Sequence, residues 1–180
     1  MKSLVIISSK NQEGLTARAV NSLIDSANSI EFEIIYLTEL KILSCCQCDK
    51  DGWGKCKDGF CIIKDDFNSI LTKMKKIDLF IFATPVYFGD ISESLKSFLD
   101  RLRRISINKR ILDIINKTTI GICVAGGGGG GSYECVIRLK DILTTCGFSV
   151  YDMIPVRRQN FEVKIEMLKT LGKLLKTNIL

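Results

Sequence analysis

Residues 44–61, SCCQCDKDGWGKCKDGFC, hold Cys45, Cys46, Cys48, Cys56 and Cys61. The best four-ligand spacing is Cys45-x2-Cys48-x7-Cys56-x4-Cys61. Four thiolates suit a [4Fe–4S] cluster or tetrahedral zinc. A zinc ribbon wants two C-x2-C knuckles, and this stretch has one. The alternative is a loop of free or redox-active thiols. Cys123, Cys135 and Cys146 fall in a strand and a helix pattern, where small buried hydrophobes account for them. Eight cysteines without a secretion signal indicate a reducing, cytoplasmic setting, with free thiols or metal ligands favoured over disulfides.

Three further stretches carry chemistry. Ser8-Ser9-Lys10-Asn11-Gln12-Glu13-Gly14-Leu15-Thr16 places hydroxyls, a lysine and a glycine before a helix pattern. Backbone N–H groups at a helix N-terminus suit a phosphate, although an ordinary βα turn reads the same way. Thr84-Pro85-Val86-Tyr87-Phe88-Gly89-Asp90 follows an apolar run and holds two aromatics where solvent is expected. They suit stacking on a flat heterocycle, or else tuck into the core. Gly126 to Gly131 form six consecutive glycines. Without side chains, several N–H groups can converge on one ligand edge and hold developing negative charge. The plainer reading is a flexible low-complexity loop.

Histidine is absent. That excludes Ser-His-Asp and Cys-His catalysis, imidazole proton shuttling and histidine metal ligands. The formal charge of +6 is spread along the chain and shows no basic tract with interleaved aromatics, so nucleic acid is not an expected partner. No apolar run reaches membrane-span length, and neither G-x-x-x-x-G-K-[ST] nor G-x-G-x-x-G opens the chain.

The elements that must position these residues alternate in type. Strand patterns at 3–8, 31–36, 77–83, 118–124 and 148–154 alternate with helix patterns near 14–28, 65–76, 91–104 and 133–146 and a last helix marked by Ile165, Leu168, Leu171 and Leu175, and a short helix is expected at 110–116. Pro155 is expected to end the fifth strand. Asp65 and Asp66 suit the dipole at a helix start. The arginine-rich stripe of SESLKSFLDRLRR reads as a solvated face. The pattern predicts one α/β domain over 1–180: a three-layer, five-stranded parallel sheet of order 2-1-3-4-5, with a Cys-rich insertion at about 43–62. Ligands of such sheets bind beyond the strands' carboxyl ends, beside the switch between strands one and three. The three turns described above lie there. A phosphate cradle, an aromatic platform and a backbone-amide edge together describe a flavin mononucleotide site.

ATPVYFGDISESLKSFLDRLRR, SSKNQEGLTAR and CIIKDDF resemble the flavodoxin-like NADPH-dependent FMN reductase family, close to the iron–sulfur flavoproteins, over nearly the whole chain. The resemblance implies FMN held by Ser8, Ser9, Lys10, Gly14, Leu15 and Thr16. It adds Thr84, Pro85, Val86, Tyr87, Phe88 and Gly89, and the 125–131 loop with Ala125, Gly126, Gly127, Gly128 and Gly129. The glycine that usually opens the first loop is Ile7 or Ser8 here. Iron–sulfur flavoproteins use a compact C-x2-C-x2-C pattern whose third position is Asp51 in this chain. NAD(P)H as co-substrate, a small-molecule or protein electron acceptor and a homodimer are further implications. Trp53 is expected to cover the site from the cysteine loop. A non-enzymatic flavodoxin-like carrier is the competing reading, weakened by the positive charge. A receiver domain lacks its acidic pair and phospho-acceptor aspartate.

Overall fold

The computed structural model of the protein describes residues 1–48, 54–106 and 114–178. Asp51, Trp53 and most of the helix expected at 110–116 lie outside that range. Strands β1 (Lys2–Ile7), β2 (Glu31–Tyr36), β3 (Leu79–Pro85), β4 (Thr118–Ala125) and β5 (Ser149–Arg157) alternate with helices α1 (Leu15–Ile24), α2 (Phe67–Met74), α3 (Glu93–Ser106), α4 (Ser132–Cys146) and α5 (Phe161–Asn178). The sheet is parallel, in the order β2-β1-β3-β4-β5.

The side-chain period of two explains how the sheet is covered. The inner strands β1, β3 and β4 are apolar on both faces, as strands sandwiched by helices must be. Leu4, Ile6, Phe80 and Phe82 point to one side, against Phe67 of α2, Phe98 of α3 and Leu139 of α4. Val5, Ile7, Ile81 and Ile122 point to the other, against Val20 and Leu23 of α1 and Leu168 of α5. Two cores therefore clamp the sheet. Among the described residues no helix is long and apolar enough to cross a membrane.

Two expectations differ from the structure. β5 does not stop at Pro155 but runs on to Arg157, pairing Pro155 with Cys123 and Arg157 with Ala125. β5 is an edge strand, the place in a sheet where a proline is tolerated. The arginine stripe of α3 is not wholly solvated, because Arg101 is buried with its side chain 1% exposed. Helical spacing places it on the inner face, where Asp65 neutralises it.

Candidate cofactor-binding site

The turn after β1 is built to leave a helix end open. Ser8 donates from its backbone N–H (3.0 Å) and hydroxyl (3.3 Å) to the Ala83 carbonyl, fastening the turn to β3. Asn11 then folds the chain: its Oδ1 accepts from Glu13 N–H (2.9 Å) and its carbonyl from Gly14 N–H (3.2 Å). Gly14 is the N-cap of α1 in extended conformation, and no side chain caps the helix. The first N–H groups of α1 have no intrahelical acceptor. Leu15 and Thr16, which carry two of them, face a cleft.

The turn after β3 is a tight hairpin. Tyr87 N–H donates to the Asp90 carbonyl (3.0 Å) and Asp90 N–H returns to Tyr87 (2.9 Å). Phe88 and Gly89 between them both have positive φ, +51° and +76°, the signature of a type I′ turn. Glycine adopts this conformation freely, whereas an aromatic there is strained. Phe88 stands fully in solvent while Tyr87 is half-exposed. Behind the turn, buried Thr84 accepts from Ser92 N–H (3.0 Å) and donates to the Pro85 carbonyl (2.9 Å), tying the turn to the start of α3.

The glycines after β4 divide by what surrounds them. At Gly131 (φ +78°) a side chain would stand 2.6 Å from the Cα of Gly89, so two turns touch backbone to backbone. At Gly129 a side chain would collide with Gln159 Oε1 and approach Arg157 Nε to 3.1 Å. At Gly126, Gly127, Gly128 and Gly130 a Cβ would meet no atom of the chain within 4 Å. Side-chain packing does not require glycine at these four positions, and only Gly127 (φ +38°) has a backbone conformation that favours it. They border the cleft and leave room for something that is not protein.

That cleft has a volume of about 500 Å³. The first turn contributes Ser9, Leu15 and Thr16, the second Pro85, Val86 and Tyr87, and the third Ala125 with Gly126, Gly127, Gly128 and Gly129. Gly130, within the expected 125–131 loop, and Val124, which was not singled out beforehand, complete the lining. Six of the residues expected at the site stand outside the lining. Ser8 and Thr84 are buried supports, Gly14 caps α1, and Gly89 packs on Gly131. Lys10 and Phe88 are exposed at the rim. Sequence reasoning also passed over Gln159, whose Nε2 donates to the Gly128 carbonyl (3.0 Å), and Arg157 beside it. The strand pattern hid both, since Pro155 read as the end of β5.

The cysteine segment packs on α3, where the Ser44 and Ser97 hydroxyls stand 3.2 Å apart. Cys56 and Cys61 are buried, Cys45 is half-buried, and Cys46 and Cys48 are exposed. Burial pushes the Cys56 thiol up, and the neighbouring thiols of Cys48, Cys61 and Cys45 push it further, so the four share one neighbourhood. Among the described residues no three histidine, cysteine or acidic side chains close around a point as metal ligands. Cys61 is fixed by Asn68, which accepts from its N–H (2.9 Å) and donates to its carbonyl (2.7 Å).

Beneath this segment, Arg101 grips Asp65 with two hydrogen bonds of 2.5 and 2.9 Å and donates to the Leu43 carbonyl (2.9 Å). Its guanidinium also lies 4.1 Å from the Phe67 ring centroid. Burial raises the Asp65 carboxyl. Hydrogen bonds from Arg101, Leu43 N–H and Phe67 N–H outweigh that and hold it below the usual carboxylate range. Asp66 accepts from Lys41 N–H (2.8 Å). The two aspartates thus tie down the stem of the cysteine segment, besides standing at the start of α2.

Comparison with known proteins agrees with this architecture. An iron-sulfur flavoprotein of Methanocaldococcus jannaschii is 31% identical over 159 residues, 87% of this chain and 76% of its own length. A second from the same organism is 32% identical over 166 residues, covering 89% and 77%. The FMN-dependent NADH-azoreductase of Bacillus anthracis, solved with FMN, superposes with a TM-score of 0.65 over 97% of this chain and 98% of its own, at 14% identity. Residues 1–163 match the family model for NADPH-dependent FMN reductase, and the chain belongs to that family of NAD(P)H-dependent flavin oxidoreductases.

Proposed function

We propose that the cleft seats FMN and that the protein passes electrons from NAD(P)H through it to a small-molecule or protein acceptor. The observation that carries this is the lining itself. Three turns meet around one space, and four glycines face it where no protein atom excludes a side chain. The uncapped N–H groups of α1 and the Ser9 hydroxyl would hold the phosphate, because a helix N-terminus is a ready anion site. Tyr87 would bound the ring. N–H groups of the glycine loop would face the pyrimidine edge, supplying preorganised donors where negative charge develops. Bound FMN supplies the redox chemistry, accepting a hydride and releasing electrons to the acceptor. No protein acid or base is needed, which agrees with a chain that has no histidine.

The cysteine segment extends this reading. Cys45, Cys48, Cys56 and Cys61 gather in one neighbourhood with two of them already buried and one clamped, and four thiolates suit a [4Fe–4S] cluster ahead of zinc. Such a cluster would give the flavin an electron partner, and the name iron-sulfur flavoprotein carried by the archaeal relatives supports it. A reducing cytoplasm suits eight free thiols. Exposed Tyr87, Phe88, Tyr133 and Ile137, on the third-strand turn and the first half of α4, suit a homodimer formed beside the cleft.

One experiment tests the core of the proposal. Protein purified without oxygen is titrated with FMN, NADPH and NADH are then added, and iron and sulfide are assayed. Saturable FMN binding with rapid bleaching of the flavin band by a nicotinamide nucleotide is expected. Binding without bleaching would make the chain a flavodoxin-like carrier, and a preparation that refuses FMN would end the flavin reading. Absence of iron and zinc would end the metal reading alone.

A further inference from the structure

We infer that Arg157 is a positioning cation for the glycine loop, placed to favour the reduced over the oxidised form of a flavin in the cleft. The inference rests on the FMN reading above. β5 continues past Pro155 so that Arg157 pairs with Ala125, the residue from which the glycine loop departs. Its backbone N–H donates to Asn160 Oδ1 (2.8 Å), which fixes the turn that follows the strand. From that turn Gln159 reaches back to the Gly128 carbonyl (3.0 Å). The guanidinium lies against Gly129, whose added Cβ would stand 3.1 Å from Arg157 Nε. Glycine at 129 therefore leaves room for this pair of side chains, and its positive φ of +73° suits the residue.

The unusual feature is the state of that nitrogen. Arg157 Nε is buried without a hydrogen-bond partner, and among the described residues no carboxylate pairs with the guanidinium. An N–H buried without an acceptor is costly even when the rest of its side chain is only half-buried, so its retention beside a ligand loop needs a reason. Reduction of a flavin leaves negative charge on the pyrimidine side, the edge the loop amides would face. A fixed positive charge just behind those amides lowers the energy of the charged form and does little for the neutral one. Neither Arg157 nor Gln159 lines the cleft, so both act through the loop. Gln159 sets the loop's position and Arg157 sets its potential.

The test uses FMN complexes of the wild type, Arg157→Lys, Arg157→Gln and Gln159→Leu. Affinity for oxidised FMN is read by fluorescence, and the two-electron midpoint potential by equilibration with a reference dye. Arg157→Gln should lose about tenfold more affinity for the reduced than for the oxidised cofactor, a midpoint fall of about 30 mV. Arg157→Lys should recover most of it. Gln159→Leu should weaken oxidised FMN binding and leave the midpoint near the wild-type value. An unchanged midpoint in Arg157→Gln overturns the inference, as do equal shifts in the Lys and Gln variants. So does loss of oxidised FMN binding by Arg157→Gln with an intact circular dichroism spectrum, because Arg157 is then part of the binding scaffold. A wild type that binds no FMN fails at the first titration, which separates failure of the cofactor reading from failure of this one.

Discussion

At the scale of single residues, the glycine run serves two different ends within six positions. Gly131 is required by the protein, since any side chain there meets the Gly89 backbone and the conformation is left-handed. Gly128 has open space around it. The two positions make a matched experiment. Gly131→Val should destabilise the fold by about 2 kcal/mol, the usual scale of a strained backbone with a clash, and lower the thermal midpoint. Gly128→Val should leave the thermal midpoint of the apo protein within a degree or two and weaken FMN binding at least tenfold, measured by fluorescence titration. An unaltered dissociation constant in Gly128→Val would remove this loop from the site. The same division applies to the cysteines. Burial pushes the Cys146 thiol up to about 12, and a hydrogen bond with Cys135, together with burial, pushes the Cys123 thiol well up, as inert core groups should be. The exposed Cys46 and Cys48 belong to the segment where thiol chemistry is in reach of solvent.

At the scale of elements, one ion pair joins α3, the start of α2 and the stem of the cysteine segment. Arg101 and Asp65 are 1% and 0% exposed and share Leu43 between them, Arg101 bonding its carbonyl and Asp65 its N–H. Removing one partner of such a pair strands a buried charge and costs about 3–5 kcal/mol. Asp65→Asn should therefore lower stability by about that amount in urea unfolding, while Asp65→Leu combined with Arg101→Met should cost much less. The pH dependence follows from the sign of the shift. The folded Asp65 pKa lies below its unfolded value of about 3.9, so its stabilisation is present above that pH and is lost as pH falls through the folded value. Wild-type stability should drop in acid below about pH 4, and Asp65→Asn should lack that part of the drop. The amides of Lys41 and Leu43, which donate to Asp66 and Asp65, should exchange faster in Asp65→Asn.

At the scale of the whole molecule, two cores clamp a five-stranded sheet and leave its carboxyl edge free to carry the cleft. Tyr87, which lines the cleft, and Phe88 stand on one turn, and Tyr133 and Ile137 on α4, all exposed. A surface of this composition is favourable when a second molecule covers it. Light scattering coupled to size exclusion should give twice the chain mass of 20.1 kDa. Ile137→Lys should shift the protein toward monomer without altering its circular dichroism. A monomeric wild type at micromolar concentration would set this surface aside for another partner.

The residues alone determined the alternation of strands and helices, the order of the sheet and which three turns share its carboxyl edge. These follow from periodicity and from the handedness of crossovers, which are local or nearly local physics. Most of the cleft lining was legible for the same reason, as Ser9, Leu15, Thr16, Pro85, Val86, Tyr87 and the first glycines lie where strands end. Only the tertiary structure decided that Arg101 lies inside against Asp65, and that β5 passes Pro155 to bring Arg157 and Gln159 against the glycine loop. Both depend on contacts between residues 30 or more positions apart in the chain. A charged side chain's place is set by the partner that folding delivers to it, and a proline's tolerance by whether its strand lies at the edge. No local pattern carries either fact.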